Sequence, residues 1–582
     1  MSWKPEYVAL LQNNDIPSES TIREVKESLK APLIELQQIE VEIQRLCELV
    51  ETMKIKRKTI QKRIDDHNII LSPVRRLPLD VLHEIFFHCL PTHRNPIMTS
   101  SESPLLLTHI CSSWRAIALS SPRIWSKIHI PLPGDPGLNQ GNGTFTDGTS
   151  LSRLFQRIAG VLQLRCDAVR RWLSRSGTCP LSISIYHPSS YSNPQNSKVE
   201  ELSQEMFNIL LSFADRWSDV DLFMPEDIYS QLQGNTQPAT FSSLKSLKLN
   251  LYRNFLGNNF ESPPIRLLAA PSLCSITISA TQSTYNMTGK LVQPVWNQLT
   301  HITITSATID TYLVFLLRQC PNLVFGHFMV VPAHWPDQPL VDQGDIFLPC
   351  LESLGVNDSG SHETMTIIFN AIKAPALTKL SYQWTSSSPY DDSTIPLPVP
   401  MISILSNSTL ISHLTLDGRL SLQDTQECLR GERVTHLVLG KPPQPDTYYP
   451  PLIDPDVGCP DLFDLRLLSI GLSSVTLLPG LEFLEAYHLA SLTDEDLLDV
   501  IICRINAFKR GEIAALKFVK IYFQRPMQKD ITEDVSRLAK EAGVEVKLDL
   551  AYAPPGSRFF DRLSPSFGLT FNDSIWSSEI IF

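Results

Sequence analysis

The chain has 582 residues, 43% hydrophobic and 19% charged, which excludes a disordered protein and predicts several folded units or one long repeat array. A net charge of −11 argues against general nucleic-acid binding, because phosphates need a positive surface. The 11 cysteines stand singly with no CxxC pair, no basic-then-apolar leader occupies Met1–Leu10, and no apolar run reaches membrane-spanning length, so a reducing compartment, cytoplasm or nucleus, is expected.

After an N-terminal extension (1–17), residues 18–71 read as one coiled-coil helix. Leu36, Ile39, Ile43, Leu46, Val50 and Met53 recur in alternating three- and four-residue steps, and the pattern resumes at Ile60 and Ile64 after Arg57. Ile22, Val25 and Leu29 hold the same phase, Thr21 with Glu24 is expected to form a capping box, and Pro32 is expected to kink or restart the helix. Such a seam predicts self-association or packing against the rest of the chain. The cluster Lys54, Lys56, Arg57, Lys58, Lys62 and Arg63 has the composition of a nuclear-localisation or nucleic-acid patch, but Glu42, Glu48 and Glu51 nearby favour a solvated helix face.

Residues 72–130 form a small helical module. Pro78 suits a first helical position, Leu82, Ile85, Phe86, Cys89 and Leu90 make one expected stripe, and Pro91 ends it. Ser103 and Pro104 announce a second helix striped by Leu107, Ile110, Cys111, Trp114 and Ala118, and Ser121–Trp125 turns away from it. A module this size needs neighbours to be stable. His83-Glu84 with His88 imitates a zinc helix motif, but histidines five apart diverge by about 140° around a helix and cannot share a metal.

The order Leu77-Pro78, Leu82, Ile85-Phe86, Leu90, Cys111, Trp114-Arg115, Pro122 and Trp125 resembles the F-box. That resemblance implies docking on a Skp-family adaptor of a cullin ligase through Leu77, Pro78, Leu82, Ile85, Phe86 and Leu90, with Cys111, Trp114 and Trp125 as the module's core. The link Thr92–Ser103 is longer and more polar than the family pattern.

Residues 131–150, rich in Gly, Asn and Thr, read as a linker whose Gly141, Gly143 and Gly148 lack phosphate-loop spacing. From 151 to 550 the pattern L-x-x-L-x-L recurs, as at Leu244/Leu247/Leu249, Leu273/Ile276/Ile278, Leu299/Ile302/Ile304, Leu351/Leu354/Val356 and Leu377/Leu380/Tyr382. Further copies stand at Ile411/Leu414/Leu416, Val434/Leu437/Leu439 and Leu462/Leu465/Leu467, with looser ones at Leu481/Leu484 and Leu516/Val519/Ile521. Helix-like segments intervene at 311–320, 363–373 and 494–509. This alternation is similar to leucine-rich repeats. It departs from them at the place of the usual Asn or Cys, which is taken by Tyr252, Thr281, Ala307, Ser359, Thr385, Arg419, Pro442 and Ile470.

The fold class expected is therefore α plus α/β: a coiled-coil helix, a small helical F-box, then a curved leucine-rich-repeat solenoid, with a tail at 551–582. Trp172–Ser176, Pro180-Leu181 and Arg216-Trp217 resemble segments of the large, divergent F-box family of basidiomycete fungi. In each strand the residues alternating with the apolar ones face outward. Lys248, His301, Thr303, Lys379, His413 and Arg466 are expected on that concave face, where the family binds target proteins. The resemblance implies a non-catalytic adaptor without cofactor or metal, and no nucleophile elbow, phosphate loop or metal-ligand spacing points to an enzyme. A scaffold or nuclear regulator with a decayed F-box is the alternative. Membrane and nucleic-acid partners are not expected.

Overall fold

In the computed structural model the apolar periodicities become a long N-terminal helix and a large parallel sheet, a mixed α and β fold. Described are residues 5–13, 15–133, 148–188, 197–233, 238–252, 266–280, 296–331, 344–359, 362–384, 400–417, 426–431, 433–440, 465–469, 476–489, 492–523 and 525–552. Outside them lie linker residues 134–147, the tail from 553, the repeat positions Leu462 and Asp464, and the loop positions Thr281, Thr385, Arg419, Pro442 and Ile470.

The chain forms two units, residues 1–82 and 83–582. In the first, α1 (Pro5–Gln12) precedes α2 (Glu19–Leu71), and Tyr7 donates to Glu24 at 2.9 Å. The cap of α2 is Ser18, whose hydroxyl accepts from the Thr21 amide at 3.2 Å, so Thr21 is the third helical residue and not the expected cap. The helix continues through Pro32, which forgoes one backbone hydrogen bond instead of restarting the element. No residue of α2 is buried.

Helix α3 (Leu79–His88) spans residue 82, the boundary, and the second unit continues with α4 (Leu105–Ile110), α5 (Ser112–Leu119) and a 3-10 turn, Pro122–Trp125. The expected single second helix is two, because Cys111 adopts an extended conformation (φ −159°) and caps α5 by accepting from the Trp114 amide at 3.4 Å. The polar link is an ordered part of the core. Ile97, Met98 and Thr99 are buried, and Arg94 and Glu102 form a buried bidentate pair whose carboxylate also accepts from the Ile97 amide at 2.9 Å. Pro96 accepts from the His129 amide and Asn95 from Ser182, which ties the link to the first two strands.

Besides a separate two-stranded pair, Ile346–Phe347 with Ile372–Lys373, fourteen strands of one sheet follow among the described residues. They are β1 (Lys127–Pro131), β2 (Leu181–Tyr186), β3 (Trp217–Pro225), β4 (Ser246–Tyr252), β5 (Ser275–Ala280), β6 (His301–Ile309) and β7 (Phe325–Val331). Then come β8 (Ser353–Asp358), β9 (Lys379–Trp384), β10 (His413–Asp417), β11 (His436–Leu439), β12 (Phe483–Leu489), β13 (Phe518–Phe523) and β14 (Lys547–Tyr552). All pair in parallel, each with its neighbours in chain order. The array thus begins inside the segment assigned to the helical module, since Lys127–Pro131 is its first strand.

Seven of the eight full L-x-x-L-x-L copies coincide with strands, their second and third apolar residues buried: Leu247 and Leu249, Ile302 and Ile304, Leu414 and Leu416. The exception is Leu465, which with Leu468 forms a 3-10 turn, Leu465–Leu468, because β11 pairs directly with β12. Leucines three apart serve one 3-10 turn as well as one strand. In β7 the inward place is Gly326, where a Cβ would stand 2.8 Å from the Phe328 ring, and that ring fills the space. Helix α6 (Gly148–Arg175) packs on α7 (Ser197–Leu211), burying Phe155, Ile158, Leu162, Cys166, Val169 and Leu173. From its core side, Arg165 donates to the Pro131 carbonyl at the end of β1.

His187, just beyond β2, is fully buried, stacks toward Phe207, and donates its amide to Phe223. Burial pushes its imidazole down to about 4. An unfolded chain takes up a proton near pH 6.5 that the fold refuses, so stability is complete above that value and falls as pH drops toward 4. Relative to a His187→Leu variant, denaturant melts of the parent should lose about 2 kcal/mol more between pH 7.5 and pH 5. Equal losses would show that His187 is protonated in the fold.

Candidate interaction surfaces

The helical module separates residues that the sequence placed on one stripe. Leu82, Phe86 and Leu90, four apart, are buried, with the Phe86 ring 4.9 Å from Trp114. Ile85 is 37% exposed and Cys89 is exposed, continuing a second line with Val81 at the same four-residue spacing. Ile85 follows Leu82 by three residues, so it points about 60° away from it around the helix. Of the six residues expected to dock a partner, Leu77 is half-buried, Pro78 and Ile85 are exposed, and the other three are held inward. The neighbouring helices add Leu106, Ile110 and Leu119, all at least 40% exposed.

Of the expected core, Trp125 is fully buried and Trp114 half-buried, but Cys111 is exposed at its cap. The scaffold is held by polar contacts, of which only Arg115 belongs to the sequence signature. Arg115 donates to the Thr108 carbonyl at 2.7 Å, His83 shares a 2.5 Å hydrogen bond with Ser121, and Arg123 pairs with Glu84 while lying 3.6 Å over the Phe87 ring. His83 is thus spent on a hydroxyl, and His88 is exposed at the end of the helix. Among the described residues no group of three His, Cys, Asp or Glu could hold a metal ion. Burial pushes the thiols of Cys166 and Cys320 up to about 12, which keeps them protonated and unreactive.

The second surface is the outward face of the sheet. Parallel register places residues of successive strands side by side in rows, and from β9 to β14 one row reads Lys379, His413, His436, Phe483, Phe518, Lys547. Its rings stack: His413 on His436 at 3.9 Å and His436 on Phe483 at 4.1 Å. Each of these histidines, and His301 likewise, bonds through Nδ1 to the hydroxyl of the residue before it, namely Ser412, Thr435 and Thr300. Desolvation first, then the neighbouring imidazole and Lys379, hold the His413 pKa below the ordinary value, and desolvation does the same for His436. The pair is therefore a neutral, polarisable platform at neutral pH.

The adjacent row carries charge at both ends. Asp221 lies beside Lys248, and Glu485, Lys520 and Asp549 stand on β12 to β14. Burial raises the Asp221 carboxyl, and Lys248 partly opposes the rise. Of the residues expected here, Lys248, His301, Thr303, Lys379 and His413 occupy strand positions that alternate with buried ones. Arg466 does not. It lies in the 3-10 turn, 4.0 Å from Asp496, on a segment whose carbonyl at Leu468 is held by Arg504 of the helix Asp494–Lys509. Sequence reading missed the aromatic members Phe325, Phe483 and Phe518, though their place just before each inward residue marks them.

No protein-family model matches the chain, and no curated protein matches it. No helix among the described residues is long and apolar enough to cross a membrane.

Proposed function

We propose that this chain is an F-box adaptor that presents a target protein to a Skp–cullin ubiquitin ligase. The observation that carries the reading is the union, within residues 83–582, of the tryptophan-pinned helical module with a parallel sheet whose strands run in chain order. Strands added one by one, each with the L-x-x-L-x-L apolar pair inward, are what a curved leucine-rich-repeat solenoid requires. The exposed Ile85, with Leu77 and Pro78 before it, docks the Skp-family adaptor; Leu82, Phe86 and Leu90 hold the docking helix in place. The outward rows around Lys248, His301, Thr303, Lys379 and His413 receive the target. The adaptor is non-catalytic, works in the cytoplasm or nucleus, and leaves ubiquitin transfer to its partner subunits.

The test is co-expression with a Skp-family adaptor followed by gel filtration. The two proteins should elute together, and Ile85→Asp should weaken the complex ~100-fold or more, since an apolar contact must then bury a carboxylate. Because Ile85 is exposed, the variant's own melting should shift by no more than about 0.5 kcal/mol. Separate elution of the parent protein would instead support a scaffold whose F-box has decayed.

A further inference from the structure

Helix α2 carries an apolar seam that the chain leaves open. Leu36, Ile39, Ile43, Leu46, Val50, Met53, Ile60 and Ile64 each keep 45–55% of their surface exposed. Exposure of that many aligned apolar side chains marks an association surface. What should cover it is written in the charge along the helix. Between residues 35 and 51 lie Glu35, Glu40, Glu42, Glu48 and Glu51 against a single Arg45, while residues 54–63 hold Lys54, Lys56, Arg57, Lys58, Lys62 and Arg63 with no acid among them. The helix is acidic on one half and basic on the other.

We infer that two copies of this chain pair through α2 as an antiparallel coiled coil. In a parallel, in-register pair the seam would set Arg57 against Arg57, and the flanking positions would face Glu35 to Glu40 with no attractive pair to offset them. Reversal of one helix removes both conflicts in a single register. Leu46 of one copy meets Val50 of the other, Ile43 meets Met53, and Leu36 meets Ile60. Arg57 then falls against Ile39 of the second copy, beside its Glu40. In that register Glu35 faces Arg63, Glu42 faces Lys56 and Glu40 faces Lys54, each pair occurring twice by symmetry. Glu42 already bonds Arg45, and Lys54 bonds Glu51, along the same helix. Both ion pairs are exposed, so each charged group can accept a second partner. Helix α1 lies upstream of this overlap, where Tyr7 holds it to Glu24.

Light scattering on the full chain should give twice the 65.5 kDa chain mass at micromolar concentration. Orientation is read with a short amine-coupling reagent on a mixture of isotope-labelled and unlabelled protein. Lys30 and Lys62 are about 48 Å apart within one helix, beyond such a reagent, but one turn apart between antiparallel copies. A Lys30–Lys62 link joining labelled to unlabelled chain is the expected product. The triple variant Glu35→Lys, Glu40→Lys, Glu42→Lys should elute as a monomer. Adding Lys54→Glu, Lys56→Glu and Arg63→Glu to it should restore the dimer, which separates lost pairing from lost folding. A parent chain that stays monomeric, links joining Lys30 to Lys30 or Lys62 to Lys62 of the two copies, or a triple variant that stays dimeric would each overturn the inference.

Discussion

Replacing Trp125 by Ala is expected to cost about 3–5 kcal/mol and to loosen the helical module from the sheet. The indole is fully buried, its Nε1 donates to the Ala118 carbonyl at 2.7 Å, and its ring meets Trp172 edge-on at 4.9 Å. Arg175 covers the other side at 4.8 Å. One side chain thus joins the end of α5 to the last turn of α6, and α6 is fastened to the start of β1 where Trp172 donates to the Lys127 carbonyl at 3.1 Å. Trp125→Phe keeps most of the apolar volume and loses the hydrogen bond, so it should cost about 1–3 kcal/mol. Chemical denaturation followed by tryptophan fluorescence ranks the two. If Ala and Phe cost the same, the volume of the indole is not what holds the junction.

Asp494→Ala should damage the other end of the molecule by a similar amount, about 3–5 kcal/mol. Its side chain has no exposed surface and accepts from Arg525 Nη2 at 3.0 Å, from the amides of Gln528 and Lys529 at 2.8 Å each, and from the Tyr552 hydroxyl at 3.1 Å. Burial alone would raise this carboxyl, yet the hydrogen bonds from Arg525, the two amides and Tyr552 outweigh it and hold it below the usual range. Its contribution is therefore present above about pH 4 and fades as pH falls further. Removing it leaves a guanidinium with only 10% of its side chain exposed without its carboxylate, hydrogen-bonded to the Leu492 and Pro526 carbonyls alone. The double variant with Arg525→Ala should lose less than the two single losses added together, and additive losses would mean the pair is not coupled.

Much of the sheet was legible because a strand with one buried face must alternate, and Leu247/Leu249 or Ile302/Ile304 can alternate only one way. The strands that escaped notice did so for physical reasons. Gly326 stands where a leucine was sought, since the Phe328 ring occupies the space, and Ile128 and Ile130 were hidden by the helical module before them. Helix α6 was legible in principle, as Phe155, Ile158, Leu162, Cys166, Val169 and Leu173 step by three and four. The Arg94–Glu102 pair was not, because two charges eight apart across a loop follow no period. At the docking helix the composition was readable but the rotation was not: whether Ile85 or Phe86 turns outward depends on where Trp114 sits.

Hydrogen bonds between successive strands join residues 23 to 56 positions apart in the chain, as with Thr435 to Ser412 and Ser182 to Ser126. A ribosome adds roughly 5–20 residues per second, so each strand emerges about 1–11 seconds after the one it must join. The growing polypeptide can therefore fold in the order in which it is made, every new strand finding a finished edge and never waiting for a distant partner. A ribosome stalled anywhere in the array would hold a product that is correctly built up to its last strand, with a single raw edge at the point of arrest.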